Sequence, residues 1–357
     1  MTRSNSRTHG AAVRDARPVT RADVARLAGV SSAVVSYVVN DGPRPVAPAT
    51  AQRVREAMEL LGYRPNANAR ALRTGTTDTI GLVLGDSRNP FFTEYTFELV
   101  KGAAARGYHV LISDAQQYGQ GDPAALVDAL VARQVDGLLF AAPHRGWVRG
   151  LSAASDVPFV LVDAPGALPG VCSVGSAARA GAAEVTAHLL EHGRRHIALL
   201  IGEEGFGDPD PRDAGWLSAH LEAGVRPGPQ MRTTFTREGG HLGTLRLLQG
   251  NEPVDAIFAT NDLQAIGALR ALREQGCSVP GDIALVSYDG TVEAEFAWPP
   301  LTVARQNVQA MASAALDLLA EPQPSAGRHI EIATQLILRA SCGCPATTAA
   351  QAPEHES

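Results

Sequence analysis

Val19 to Asn40 reads VTRADVARLAGVSSAVVSYVVN, and this stretch decides what the front of the chain is. Val24, Ala25, Leu27 and Ala28 recur at helical spacing, Gly29 interrupts the pattern, and Val35, Val38 and Val39 resume it. The spacing predicts two short helices joined by a tight turn, a helix-turn-helix. Thr20 suits the first N-cap and Ser31 the second, Ala25 is small enough for a close helix crossing, and Gly29 can take the left-handed turn. A third amphipathic segment, residues 49–61, aligns Val54, Ala57, Met58 and Leu61 on one side behind Pro48 in its first turn, which closes a three-helix core.

Charge sets this head apart from the rest of the chain. Residues 1–78 hold 12 Arg against 6 acidic residues, a balance of +6, whereas the whole chain of 357 residues carries −6. A basic head on an acidic body predicts a polyanion-binding front whose body does not adhere to the same polyanion. At 45% hydrophobic and 19% charged, the composition is that of a soluble globular chain and excludes a fibre or a wholly disordered protein. The longest apolar runs, residues 80–85 and 197–202, fall far short of the roughly 20 residues that cross a bilayer. The Arg-containing residues 1–18 lack an apolar core and a small-residue cleavage site, so no secretory signal is read and the expected location is the cytoplasm.

After the third helix comes Tyr63-Arg64-Pro65-Asn66-Ala67-Asn68-Ala69-Arg70-Ala71-Leu72-Arg73, enough for about two helical turns and too short to be stable alone in water. With VTRADVARLAGVSSAVVSYVVN, LGYRPN and ALR, the chain resembles the LacI family of bacterial transcription regulators from about Val19 to Leu338. The resemblance implies that the second helix enters the major groove of duplex DNA, with Ser32, Ala33 and Tyr37 facing the bases. Thr20, Ser31, Asn40 and Thr50 match positions that hold phosphates. Asn66, Ala69 and Leu72 belong to a hinge in the minor groove, Leu72 being the apolar wedge that kinks the central step. Tyr37 stands where the family usually has Arg and cannot offer a bidentate pair to guanine. Ala47 replaces the usual Ser cap of the third helix, and the turn at residues 41–45 is one residue longer than common, with Arg44 available for a compensating phosphate contact.

Beyond Thr74-Gly75-Thr76-Thr77, short apolar strands alternate with helical segments, which signals parallel sheets with crossover helices. Strands are expected at residues 79–84, 109–113, 137–141, 159–163, 196–201, 231–235, 256–259 and 283–288, and helices at about 91–106, 123–133, 179–192, 212–223, 240–249, 263–275 and 307–319. A body of this length predicts two α/β lobes. The resemblance agrees, since the family's body is similar to periplasmic sugar-binding proteins, with a ligand held between doubly wound lobes. Ligands in such sheets sit beyond the carboxyl ends of the strands, where Asp163, Asn261 and Asp289 follow strands and Arg212 opens a helix. The resemblance implies that Asp163, Arg212, Asn261 and Asp289 hydrogen-bond the effector and that Phe235 stacks on it. Phe91, in Asn89-Pro90-Phe91-Phe92, either walls the pocket or is an ordinary buried aromatic. Ala177 and Ala178 stand where the family commonly has Asp-Asn, so the ligand is not copied from sugar-binding relatives and is a sugar or another small polar metabolite.

No Gly-x-Ser-x-Gly elbow, Gly-x4-Gly-Lys loop or His-Glu-x-x-His pair occurs, and an enzyme reading lacks a constellation. Cys172, Cys277, Cys342 and Cys344 are too few for a disulfide framework and read as reduced thiols. Cys342-Gly343-Cys344 is half of a metal site without a second pair at ligand spacing, and His188 and His192, four apart on a helix, read as surface residues. No cofactor and no metal are expected. The expected organisation is a disordered arm (1–18), a helix-turn-helix domain (19–64), a hinge helix and linker (65–77), a two-lobed effector-binding and dimerisation domain (78–341) and a disordered tail (342–357). The tail lacks heptads, so a homodimer on a pseudo-palindromic operator is favoured over a helical tetramer. The two rival readings, a solute-binding module feeding a transporter and an α/β enzyme, each leave the basic head without a role.

Overall fold

The computed structural model describes residues 17, 19–40, 44–65, 71, 75–115, 123–141, 157–202, 210–321 and 327–345. The chain divides into two units, Met1–Thr77 and Asp78–Ser357.

In the first unit, α1 (Arg21–Ala28) and α2 (Ser32–Val39) meet at 103° and α3 (Pro48–Leu61) packs across them. The Asp23 carboxylate accepts hydrogen bonds from the Thr20 backbone N–H (2.9 Å) and hydroxyl (2.6 Å), which pins the start of α1. Gly29 ends α1 at φ +66°, and the Ser31 hydroxyl accepts from Val34 N at 3.3 Å to start α2. Ala47 gives α3 no side-chain cap, and Pro48 fills its first position instead. Val24, Ala25, Ala28, Val35, Val54 and Ala57 form the buried core, with Val38, Val39, Met58, Leu61 and Tyr63 packed around it. Leu27, expected on the core face, is 52% exposed, because the other two helices pack on the side of Val24, Ala25 and Ala28. The arm at 1–16, the longer turn at 41–43, and Asn66, Ala69 and Leu72 of the hinge lie outside the described residues.

The second unit holds two six-stranded sheets. Its strands are β1 (Thr79–Leu84), β2 (His109–Asp114), β3 (Gly137–Ala141), β4 (Phe159–Val162), β5 (Cys172–Ser176), β6 (Ile197–Gly202), β7 (Gln230–Thr233), β8 (Ala256–Ala259), β9 (Ala284–Asp289), β10 (Thr302–Arg305), β11 (His329–Ile332) and β12 (Gln335–Ile337). Its helices are α4 (Pro90–Ala105), α5 (Pro123–Val131), α6 (Ala178–Glu191), α7 (Pro211–Ala223), α8 (Arg237–Gln249), α9 (Asp262–Glu274), α10 (Val292–Phe296) and α11 (Val308–Ala320). The first lobe's sheet, in the order β11-β5-β4-β3-β1-β2, is parallel throughout. The second, β12-β10-β9-β8-β6-β7, is parallel except for β12, which runs against β10. The central strands are buried along their whole length, save Thr79 at the start of β1, as strands covered on both faces by helices must be.

The chain passes between lobes three times: from β5 to α6, from β10 to α11, and from β11 to β12. At the second passage α11 returns to the first lobe, where Met311, Ala312, Ala315 and Leu316 share a core with Tyr95 and Leu99 of α4. Strands β5, β10, β11 and β12 went unanticipated. Each has three to five residues, and they are held by neighbours brought from elsewhere in the chain rather than by a local apolar run. Among the described residues no single helix is long and apolar enough to cross a membrane; the bent pair α1 and α2 approaches that length but supplies the core of the first unit.

Candidate functional site

The carboxyl ends of β4 and β5 in the first lobe and of β8 and β9 in the second, with the start of α7, bring polar groups to one cleft. Arg212, in the first turn of α7, is its centre. Asp210 caps that helix through Arg212 N (2.9 Å) and takes both sides of the guanidinium, Nε at 3.0 Å and Nη2 at 2.8 Å, while Nη1 donates to the Thr260 carbonyl at 2.7 Å. The fork is therefore fixed before any ligand arrives. The guanidinium also lies over two rings, 5.0 Å from the centre of Phe235 and 5.7 Å from that of Tyr288. Burial alone would raise the Asp210 carboxyl, but the charge and hydrogen bonds of Arg212 overcome it and hold the group below the ordinary carboxylate range.

Asp163 and Asp289 follow β4 and end β9, and both have positive φ, +56° and +103°. Asp tolerates this region better than most residues, and strained backbone at two strand ends beside one cleft marks a built site. Burial pushes Asp163 up to about 6 against the opposing pull of Arg212. Asp289 is raised well above its ordinary value by burial and then by the neighbouring Asp262 charge, and its Oδ1 accepts from Gln306 Nε2 at 2.9 Å. Asp262 lies behind it. Its carboxylate takes the Ser287 hydroxyl (2.6 Å), Thr291 N (2.7 Å) and the Thr291 hydroxyl (2.8 Å), and it is raised to about 6 by burial despite those bonds. It fixes the loop that carries Asp289.

Tyr288, Gln306, Tyr95, Ser176 and Asp210 join the site without having been singled out by sequence. Tyr288 Oη pairs with Ser176 Oγ at 2.8 Å, a hydrogen bond from one lobe to the other. The buried Tyr95 hydroxyl, close enough to Asp163 to feel its charge, and Gln306 Oε1 have no partner among the described residues. Buried polar atoms of this kind are costly unless a ligand or water completes them. Gln306 follows β10, a strand not read from sequence, which is why it was missed; Tyr288 was visible only as the neighbour of Asp289.

Two of the expected ligand residues also have structural work. Asn261 is the N-cap of α9: its Oδ1 accepts from Gln264 N at 2.8 Å, and its Nδ2 reaches the Phe235 carbonyl at 3.4 Å. It positions Phe235. Phe91 is 3% exposed and packs edge-on against Phe92 in the first lobe's core, with ring centres 5.1 Å apart.

On the first unit, Ser32 and Ala33 are exposed at the start of α2, and Tyr37 one turn on is half-buried. Asn40 is engaged locally, Nδ2 donating to the Ser36 carbonyl at 2.8 Å and lying 3.2 Å from its hydroxyl.

Two sequence expectations at the far end of the second lobe need correction. His188 is buried, not a surface residue, and Cys342, assigned to a disordered tail, is 1% exposed within that lobe's core. The two His and the two Cys, read as unrelated pairs, lie together. Folding supplies the second pair that the local spacing lacked.

Residues 20–66 match the bacterial regulatory proteins of the lacI family, and residues 186–342 match the periplasmic binding protein-like domain. The chain is 30% identical to the HTH-type transcriptional repressor PurR of Histophilus somni over 326 residues, 89% of this chain and 97% of the relative. In three dimensions it is similar to the Lac repressor dimer bound to operator and the anti-inducer ONPF, with a TM-score of 0.81, 27% identity, and coverage of 91% of this chain and 99% of that one. The complex of the transcriptional regulator CelR with cellobiose gives a TM-score of 0.66 and 29% identity, covering 91% of this chain and 100% of the other.

Proposed function

Because the chain belongs to the lacI family of bacterial regulatory proteins, we propose that it is a DNA-binding transcriptional repressor whose operator affinity is set by a neutral polyhydroxyl effector in the cleft around Arg212. The observation that carries this reading is the placement of a pre-oriented Arg212 opposite Asp163 and Asp289 in a chain that also presents the start of α2 to solvent.

Carboxylates outnumber cations in the cleft, which disfavours an anion. Asp163 and Asp289 accept from ligand hydroxyls, Arg212 donates to them, and Phe235 offers a flat apolar face to a ring. The cellobiose complex of CelR supports a sugar-like class, while Ala177 and Ala178 remove two polar groups and argue for a ligand with fewer hydroxyls to satisfy on that side.

The head, residues 19–64, reads DNA with Ser32, Ala33 and Tyr37, while Thr20, Ser31, Asn40 and Thr50 hold phosphates. The hinge, residues 65–77, orders in the minor groove through Asn66, Ala69 and Leu72. Ser32 and Ala33 are small and Tyr37 lacks a fork, so base preference leans on hinge-induced deformation of the duplex. Effector closure of the lobes changes the spacing of two hinges in a homodimer, and a coupling of roughly 1–3 kcal/mol between the sites is enough for a switch. The Lac repressor dimer supports that assembly, as does an exposed apolar patch comprising Val292, Phe296 and Trp298. A protein that binds the chromosome in this way works in the cytoplasm.

Deleting residues 1–74 tests the division of labour. The truncated chain is expected to show no preferred sequence in selection from random duplexes while keeping the parent's thermal shift in a screen of sugars. Retained sequence selection would reject the head's role; loss of every ligand shift with the fold intact would reject the cleft's.

A further inference from the structure

His188 and His192 lie one turn apart at the carboxyl end of α6, and Cys342 and Cys344 lie some 150 residues later in the chain, yet their four ligand atoms fall within 4.8 Å of one another. Cys342 Sγ is 3.3 Å from His188 Nε2, and Cys344 Sγ is 3.5 Å from His188 Nε2 and 3.4 Å from His192 Nε2. In a tetrahedral site with Zn–S near 2.3 Å and Zn–N near 2.0 Å, sulfur and nitrogen ligands are separated by about 3.5 Å. We infer that His188, His192, Cys342 and Cys344 hold one zinc ion in a closed Cys2His2 site that fastens the C-terminal segment to α6.

Local structure builds the two halves. The helix turns both imidazoles to one face, because residues four apart are neighbours on its surface. Their rings lie 4.5 Å apart between centres, tilted 57° to each other, with both Nε2 atoms turned to the sulfurs. On the other side a short 3-10 turn, Ala340–Cys342, delivers Cys342, and Gly343 at φ +106° reverses the backbone so that Cys344 comes back to the same point. A side chain at position 343 would strain that reversal.

The surroundings suit a structural ion. Cys342 and His188 are buried, while His192 lies at the exposed rim and gives the ion a path from solvent. Thr302 Oγ1 lies 3.0 Å from Cys342 Sγ and can donate to a thiolate, and Cys344 N points at the same sulfur from 3.5 Å, the kind of outer support that metal-bound sulfur receives. Four protein ligands leave no position for water or substrate, so the ion's role is to hold the chain. Two thiolates and two neutral imidazoles balance the charge of a divalent ion, and this mixed sulfur and nitrogen set at tetrahedral spacing selects zinc over harder cations. The clasp ties the end of the second lobe's last described segment to its first helix.

The test uses the full-length, tag-free chain purified without chelator, with metal measured by plasma mass spectrometry. One zinc per chain is expected. Cys344→Ser and His192→Gln, both at the accessible rim and so compatible with folding, are each expected to cut retained zinc to below about a tenth of the parent's. Cobalt(II) exchanged into the parent should give the intense visible bands of a tetrahedral thiolate site, absent from both variants. Chelator should lower the parent's melting temperature and leave the variants' unchanged. A parent chain that neither carries zinc nor keeps it after dialysis against zinc and desalting overturns the assignment. So does parent-level zinc in both variants, or a metal-free parent in which peptide mapping finds a Cys342–Cys344 disulfide.

Discussion

Asp163 shows how one side chain couples the fold to the cleft. Its carboxyl is raised to about 6 chiefly by burial, so the folded state holds a proton that the unfolded chain has already released above its ordinary value of 3.8. The stability cost of ionising it therefore grows as pH rises from about 4 to about 6 and stays constant above. Asp163→Asn removes that cost. The variant is expected to be more stable than the parent by up to about 3 kcal/mol near pH 7.5, with the gain vanishing near pH 4, as read from denaturant melts. It should also lose effector-induced stabilisation, since an amide nitrogen faces the ligand hydroxyl where an acceptor stood. A gain that is the same at both pH values would remove burial as the cause. Asp210 works in the opposite sense: its depressed carboxyl stabilises the fold above its ordinary value, and that contribution is lost on acidification. Asp163, Arg212 and Asp289 were found from sequence because each sits where a readable strand ends or a helix begins. The orphaned atoms of Tyr95 and Gln306 were not, because an unmet hydrogen bond is a property of packing and leaves no trace in residue order.

At the scale of elements, capping chemistry was the most legible signal. Thr20, Gly29 and Ser31 punctuate α1 and α2 where their side chains and backbone freedom require. Gly29 at φ +66° has open space where a Cβ would point, so replacing it tests backbone conformation alone. Gly29→Ala is expected to destabilise the first unit by about 1 kcal/mol or slightly more, with Gly29→Asn costing less because Asn tolerates the left-handed region. Calorimetry should show the loss in the head's transition, with the two-lobed unit's melting unchanged; equal, negligible effects of Ala and Asn would show that the turn places no demand on φ. Strands of the parallel sheets announced themselves as apolar runs, β1, β3 and β8 to the residue. Strand β5 (CSVGS) and the edge strands β11 and β12 did not, because Ser, Gly, His and Glu become strand residues only when a neighbouring strand takes up their backbone groups.

For the whole molecule, the exposed patch on and after α10 carries the assembly prediction. Phe296 is 80% exposed and Trp298 88%, and apolar rings that large seldom face water without a partner. Changing Phe296 and Trp298 together to Ser is expected to shift the chain from dimer toward monomer by at least tenfold in dissociation constant, about 1.4 kcal/mol, in sedimentation. Operator affinity should fall with it, since two half-sites are no longer held by one particle; an unchanged sedimentation profile would place the dimer contact elsewhere. Residue order was enough to establish the helix-turn-helix head, the two α/β lobes and the family, because caps, periodicity and apolar runs act between residues close in the chain. Only folding decided which polar groups meet: Tyr288 with Ser176 across the lobes, Gln306 with Asp289, and His188 and His192 with Cys342 and Cys344. Those encounters depend on sheet order and three passages between lobes, and contacts of such long range are set by the packing of the entire core, to which no local pattern testifies.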